Sequence, residues 1–339
     1  MKLWVFKKDG ELPLINFVNC NITNMKFYFF IFLLFSFNIY AKAESKGYVV
    51  KYFNQQSSAD LELTNSSTTK LLSYHPNIET TNNIMLAKDG FSFSFPIGLQ
   101  HASDLDNFKK GKSKSTDFQF TFVTSNLGID LIYQKYTGFY LNDSEFNTNT
   151  TYPTTGESVS TYLQYSSMSL ERKTINLYYL SNPDGFSYNA SFTQSERQLT
   201  SGGSWISLLS VSQFSLSNPN TIIPNSYQTP FGTLKGGKSL GISYMFGGAY
   251  TLAFGSPFIT LMALAGPIHY SSTFYYSTTN DDKRTRENAR ALARAAIGYN
   301  GESFITSVAV TSDQLTFKTN NTKISPIATT ASFAIGYRF

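Results

Sequence analysis

Three histidines, His75, His101 and His269, are the places to look for acid–base or nucleophilic chemistry. A serine nucleophile or an activated water needs a histidine beside it and a third group to orient the ring. Of the three, His101 is the least poor candidate for hydrolysis, because it sits where the strand predicted at 88–99 gives way to a loop, with Asp104 or Asp106 nearby. No G-x-S-x-G or H-E-x-x-H pattern occurs to support it. Three scattered histidines lack the spacing of a metal cluster. The only cysteine, Cys20, has no thiol partner. The sequence therefore predicts no enzyme, no metal and no cofactor, and a rim lipase or protease at His101 is the minor reading.

A second set of residues is charged. Arg172, Arg197, Arg290, Arg294, Arg338, Asp117 and Asp130 each fall in a stretch that alternates with apolar or aromatic side chains. "DFQFTF" sets Phe118, Phe120 and Phe122 against Asp117, Gln119 and Thr121. "LGIDLIYQKY" sets Leu127, Ile129, Leu131 and Tyr133 against Gly128, Asp130 and Gln134. Period-2 alternation puts the two sets on opposite faces of a strand. Charged residues make up only 14% of the chain and aromatics 16%, with 30 Phe and 22 Tyr. Soluble domains carry about 25% charged residues, so the aromatic face is predicted to meet lipid.

The elements that would hold these charges follow from the same pattern. "DGFSFSFPIGLQ", "SLGISYMFG" and the terminal "ASFAIGYRF" alternate in the same way, and "FSYNASFTQSER" does so from Phe186 to Arg197. "RTRENARALARAAIG" has a helical arginine spacing, but its alanines also alternate and it ends in the hairpin signal "YNGES", which favours a strand. Twelve strands are predicted near 67–76, 88–99, 116–125, 127–137, 171–181, 186–197, 203–216, 238–250, 257–271, 288–299, 303–313 and 328–339; ten and fourteen also fit. Longer polar stretches at 100–116, 138–170, 218–237, 273–287 and 314–327 read as loops. The fold class is all-β, a single transmembrane antiparallel β-barrel. Counting back from Phe339 puts the long segment 138–170 on the periplasmic side, where turns are normally short; either that loop is a periplasmic exception or the count has missed or invented a strand, and its side stays open.

The start of the chain agrees with export. From Met25, "MKFYFFIFLLFSFNIYAKAES" shows the basic, apolar and small-residue order of a signal peptide cleaved after Ala43. Residues 1–24 read as an over-called start, 25–43 as the signal peptide, 44–66 as a periplasmic N-terminal segment and 67–339 as the barrel. Without residues 1–43 the formal charge falls from +5 to +2, which gives no argument for nucleic acid. The loop "NFKKGKSKS" holds four lysines without interleaved aromatics. It reads as a solvated loop that could touch the phosphates of lipopolysaccharide.

"FSYNASFTQSERQLTSGGSW" (Phe186 to Trp205), "YQKYTGFYL" (Tyr133 to Leu141) and "SYHPN" (Ser73 to Asn77) resemble the bacterial family catalogued as domain of unknown function 4421. That resemblance implies an outer-membrane barrel in a Gram-negative envelope, and no activity or functional residue. The last strand, with Phe333, Ile335, Tyr337 and Phe339 on one face, resembles the signal read by the barrel assembly machinery.

On the lipid face a charge would cost about 2–4 kcal/mol at the midplane, so the seven charged residues are predicted to line the lumen. They would either form an internal salt-bridge network or make a basic constriction that selects anions. The functional expectation is a porin-like passive channel for small solutes. The alternative is a plugged structural or surface-interaction barrel without transport. Solute, oligomeric state and host stay open.

Overall fold

The computed structural model describes residues 44–45, 47–65, 70–78, 80–100, 102–228, 232–277, 281–318 and 322–339. The segments 1–24 and 25–43 lie outside the described residues. Twelve long strands form the wall: β1 (Val49–Asn65), β2 (Thr80–Lys88), β3 (Phe91–Gln100), β4 (Lys114–Val123), β5 (Leu127–Leu141) and β6 (Leu163–Leu180). They are followed by β7 (Gly202–Ser217), β8 (Leu234–Ala253), β9 (Pro257–Tyr276), β10 (Asp282–Asn300), β11 (Phe304–Gln314) and β12 (Thr322–Arg338). Each pairs antiparallel with the next, and β12 pairs with β1 from Arg338 opposite Val49 to Thr322 opposite Asn65. The ring is closed, as a spanning sheet requires, although β3 and β4 join only from Phe91–Ser94 opposite Phe122–Gln119.

The alternation sorts side chains as the pleat dictates. On β10 the alanines at 289, 291, 293 and 295 face outward with Ile297, while Arg290, Leu292 and Arg294 face in. Outward residues include Phe91, Phe93, Phe118, Ile175, Leu240, Tyr244, Phe246, Leu261 and Phe333, all substantially exposed. Together they make an apolar band around the wall.

One end of the barrel has tight turns. Asp89–Gly90 joins β2 to β3 with φ of 47° and 85°, the pair of positive values that an Asp-Gly hairpin turn supplies. Residues 124–126, 254–256 and 301–303 make the other short turns, and Phe339 ends here. The opposite end carries long connections: 101–113 with α1 (Asp104–Lys110), 142–162 with a small hairpin, and 218–233. Short turns are periplasmic in barrels of this kind. Segment 142–162 therefore belongs to the external end, so the open choice between a periplasmic exception and a miscounted strand falls to the miscount.

The cause of that error is one segment. Residues 186–197 do not form a wall strand; Asn189–Thr193 is a π-helical turn folded inside the barrel. Counting it as a strand inverts the direction of everything before it. Two further boundaries change. The wall begins at Val49, so 44–66 is not a detached periplasmic segment. The run predicted at 67–76 shrinks to a short strand, Leu71–His75, and the strand predicted from 88 is the second arm of a hairpin whose first arm is β2. Two missed arms replaced one false strand and one fragment, so the count of twelve stands.

Candidate functional site

Among the described residues the lumen holds many buried polar groups, and its contents divide by height. At the external end it is filled by apolar side chains. Leu61 and Leu63 of β1, Phe139 and Leu141 of β5, Leu216 of β7, and Ile268 and Phe274 of β9 pack around Ile222, Ile223, Leu315 and Phe317 from the connecting loops. Tyr74 caps this core by donating its hydroxyl to the Ile222 carbonyl at 2.6 Å. Gly138, at φ 86°, lets β5 change parity so that Phe139 and Leu141 turn inward. A Cβ there would lie 2.3 Å from the Lys112 carbonyl oxygen.

The periplasmic end is closed by the in-folded segment 181–201. Its Phe186 and Tyr188 pack on Ile206, Leu208, Met245, Met262 and Leu292 of the wall. Its polar groups are bonded around the ring. Asn189 donates to the Val123 carbonyl (3.0 Å), Ser191 meets Thr251 (3.0 Å), and Asn300 donates to the Ala190 and Glu196 carbonyls (3.2 and 2.8 Å). Arg338 of β12 donates to the Gln194 carbonyl and to the Asn300 side chain, at 2.6 and 2.7 Å. Arg197 pairs with Glu302 at 3.4 Å. Gln194 itself has φ 58°, and its amide bridges the Tyr299 and Thr306 carbonyls.

Between the two closures lie two charged clusters. Asp313 accepts from Arg290 at 3.0 and 2.7 Å and also from Arg172, while the remaining Arg290 nitrogen reaches Ser210 (2.6 Å) and Ser243 (3.1 Å). Asp130 accepts from Tyr178 (2.6 Å), Thr121 (2.7 Å) and Arg294 (3.4 Å), and Arg294 also bonds the Tyr188 hydroxyl. Asp117 stands apart, held by Gln134 (3.0 Å) and Gln55 (3.3 Å). All seven charged residues singled out in the sequence therefore lie inside the wall. Arg172, Arg290, Arg294, Asp117 and Asp130 sit at mid-height, Arg338 binds the in-folded segment, and Arg197 belongs to that segment and ties it to Glu302.

Against the β1–β6 and β11–β12 side of the wall these clusters leave a cavity of about 180 Å³, lined by Lys51, Asp117, Arg172, Arg294, Asp313 and hydroxyl groups such as Ser92 and Thr330. Lys51 was missed in the sequence. Its ammonium donates to the Phe192 and Thr193 carbonyls and the Gln194 side chain, at 3.3–3.5 Å. The room suffices for a few waters or one small polar molecule.

His101 lies outside the described residues; Asp104 and Asp106 are on α1, where Asp106 pairs with Lys110 at 3.7 Å. His269 is an outward residue beside Glu287 at 3.5 Å. Among the described residues no group of three or more metal-ligating side chains converges. The proposed assembly residues Phe333, Ile335, Tyr337 and Phe339 are all exposed.

A closed twelve-strand ring, an outward apolar band, a polar interior and short turns at one end define a bacterial outer-membrane β-barrel protein. Within that class, residues 38–339 match the family described as Domain of unknown function (DUF4421), and the chain belongs to it. No curated protein matches the sequence. Solved structures with a similar course include the outer membrane protease OmpT from Escherichia coli (6% identity, TM-score 0.41, covering 88% of this chain and 98% of that one). The β domain of the Bordetella autotransporter BrkA is also similar (11%, TM-score 0.35, 87% and 100%), as is the P. putida toluene transporter TodX (9%, TM-score 0.27, 86% and 90%).

Proposed function

We propose that this barrel is a plugged outer-membrane protein that works at its external surface, rather than a passive channel. The observation that carries this reading is the double closure of the lumen. An apolar core fills the external end, and a segment hydrogen-bonded to strands around the ring fills the periplasmic end. Opening either end would expose buried carbonyls or apolar side chains, and each unsatisfied buried group costs about 1–3 kcal/mol. The mid-height arginines are largely neutralised by Asp313 and Asp130, as a network that stiffens the wall would be.

The external end supplies the working surface. Lys109 and Lys110 of α1, with Lys112 and Lys114 after it, suit contact with the phosphates of lipopolysaccharide. The testing experiment is single-channel conductance of the folded mature chain in a planar bilayer. A folded, heat-modifiable protein that gives no discrete steps agrees with the plugged reading; reproducible steps would overturn it in favour of the channel.

A further inference from the structure

On the outer wall, at the external end, three side chains form an unbroken hydrogen-bonded line. Asp60 Oδ1 lies 2.6 Å from His75 Nδ1, and His75 Nε2 lies 2.9 Å from Ser73 Oγ. Ser73 and His75 occur two residues apart on the short strand Leu71–His75, whose alternate residues Leu72 and Tyr74 are buried inside. Asp60 is on β1, where pairing of Leu61 with Tyr74 continues to put Asp60 opposite His75. Asp60 and His75 keep 25% side-chain exposure each, so the site is open to its surroundings.

The roles are fixed by the donor inventory. An ionised Asp60 only accepts, so His75 Nδ1 carries the proton and donates it. In the neutral ring Nε2 is then the acceptor, and Ser73 donates its hydroxyl proton to it. That is the order nucleophile, base and orienting carboxylate required for an activated serine. The neighbouring row supplies a further group. Asn142 of the loop after β5 donates its backbone N–H to the Ser73 carbonyl at 2.8 Å and is exposed. Residues opposite one another on antiparallel strands have Cβ atoms about 4.5–5.5 Å apart, within reach of an amide donor for an oxyanion on a group bound to Ser73. On the other flank Glu62 stands opposite Ser73.

We propose that Ser73, His75 and Asp60 constitute a serine hydrolase site that cleaves carboxylic esters of acylated amphiphiles at the outer-leaflet surface. Ser73 Oγ attacks the ester carbonyl carbon while His75 Nε2 takes the hydroxyl proton. The tetrahedral intermediate collapses with cleavage of the bond to the alcohol oxygen, which receives that proton from His75. Water then attacks the acyl-serine, giving its proton to His75, and the acid leaves as Ser73 regains its hydrogen. Ester and water become acid and alcohol, and no other reactant is needed. Asp60 is the positioning residue.

Location selects the substrate class. Facing strand β12, the apolar residues Phe339, Tyr337, Ile335 and Phe333 run up the outside from the periplasmic edge. An apolar band about 25 Å tall covers about ten residues of a tilted strand, which takes it to Thr329, opposite Ser58. Asp60 is the next outward residue. The site therefore lies where lipid esters meet water, with Leu71 exposed on the same face of its strand.

The test uses the full mature chain in mixed micelles, with heat-modifiable migration as proof of folding for every variant. A long-chain alkyl fluorophosphonate is the covalent probe, and p-nitrophenyl butyrate, p-nitrophenyl palmitate and phospholipid vesicles are the substrates. The expected result is modification of Ser73, found by peptide mass spectrometry and lost in Ser73→Ala and His75→Ala. Hydrolysis should favour the palmitoyl ester and phospholipid. Asp60→Asn should lower kcat by about 10³–10⁴-fold with KM unchanged, and Asn142→Ala by about 10²–10³-fold. Folded protein that is not labelled at Ser73, or whose labelling survives His75→Ala, overturns the site. Hydrolysis confined to the butyrate ester overturns the substrate class.

Discussion

Arg290 grips Asp313 through two parallel hydrogen bonds at a depth where the arginine side chain has no exposure at all. The same carboxylate also takes Arg172, so one negative charge holds two cations inside the wall. Removing a single partner of a buried pair leaves an uncompensated charge and costs about 3–5 kcal/mol. Asp313→Asn is expected to lower the urea midpoint of the compact gel band by a matching amount. Arg290→Lys keeps the charge but loses the two-pronged geometry, and should fall between the two.

The periplasmic closure predicts a change in access. Residues 44–339 hold no cysteine, so Thr330→Cys in that stretch places a single thiol in the mid-height cavity. A membrane-impermeant thiol reagent should label it slowly in an otherwise intact barrel. Deleting 186–197 should speed labelling, and Arg338→Ala should do so partly, because it frees the Gln194 carbonyl and the Asn300 side chain. Equal rates in all three would mean that the segment does not seal the lumen.

At the external end Lys70 bonds Asp143 and Glu145 at 2.9 and 3.1 Å and lies 4.8 Å from the centre of the Tyr227 ring. The Tyr227 hydroxyl, and then Lys70, hold the Glu145 carboxyl below the usual carboxylate range. A group depressed in the folded state contributes fully above its unfolded value, about 4.3 for glutamate, and loses that contribution as pH falls through the lower folded value. Exposure of Tyr227 to oxidative footprinting should stay flat above about pH 5 and rise below about pH 4. Glu145→Gln should raise it at neutral pH and flatten the profile.

Phe339 gives a prediction about delivery. It stacks on Tyr48 and Tyr337 at 6.3 Å each and bonds Tyr48 through both backbone groups. If the terminal aromatics are read by the assembly machinery, Phe339→Ala should reduce the folded fraction in cell membranes far more than it lowers the urea midpoint of purified protein. Equal losses in both would make it a packing residue only.

The sequence made most wall strands legible because lipid and lumen impose opposite demands on alternate residues. β10 shows this best, since only one side of it could accept Arg290 and Arg294. β1 was missed because above Tyr52 its outward residues, Asn54 through Thr64, are polar, so the aromatic alternation that marks the other strands stops there. Residues 186–197 were misread for the opposite reason. Phe186, Tyr188, Ala190 and Phe192 alternate like a strand, but their neighbours are buried too, because the segment is surrounded by protein. The lumen set was readable, since charge is tolerated only there. The row of Asp60, His75 and Ser73 was not, because it depends on the register between the short strand Leu71–His75 and β1, which the pattern left out. The hydrogen-bonding duties of Asn189, Gln194 and Asn300 likewise need partners distant in sequence.

The seam between β1 and β12 joins the two ends of the barrel along their full length. No chain can make it before both strands are present, because its halves come from opposite ends of the barrel. Until that moment both β1 and its future partner are open templates for the wrong neighbour. Contacts of such large sequence separation make closure slow as well as late. The wall should therefore remain an unclosed sheet until β12 is in place.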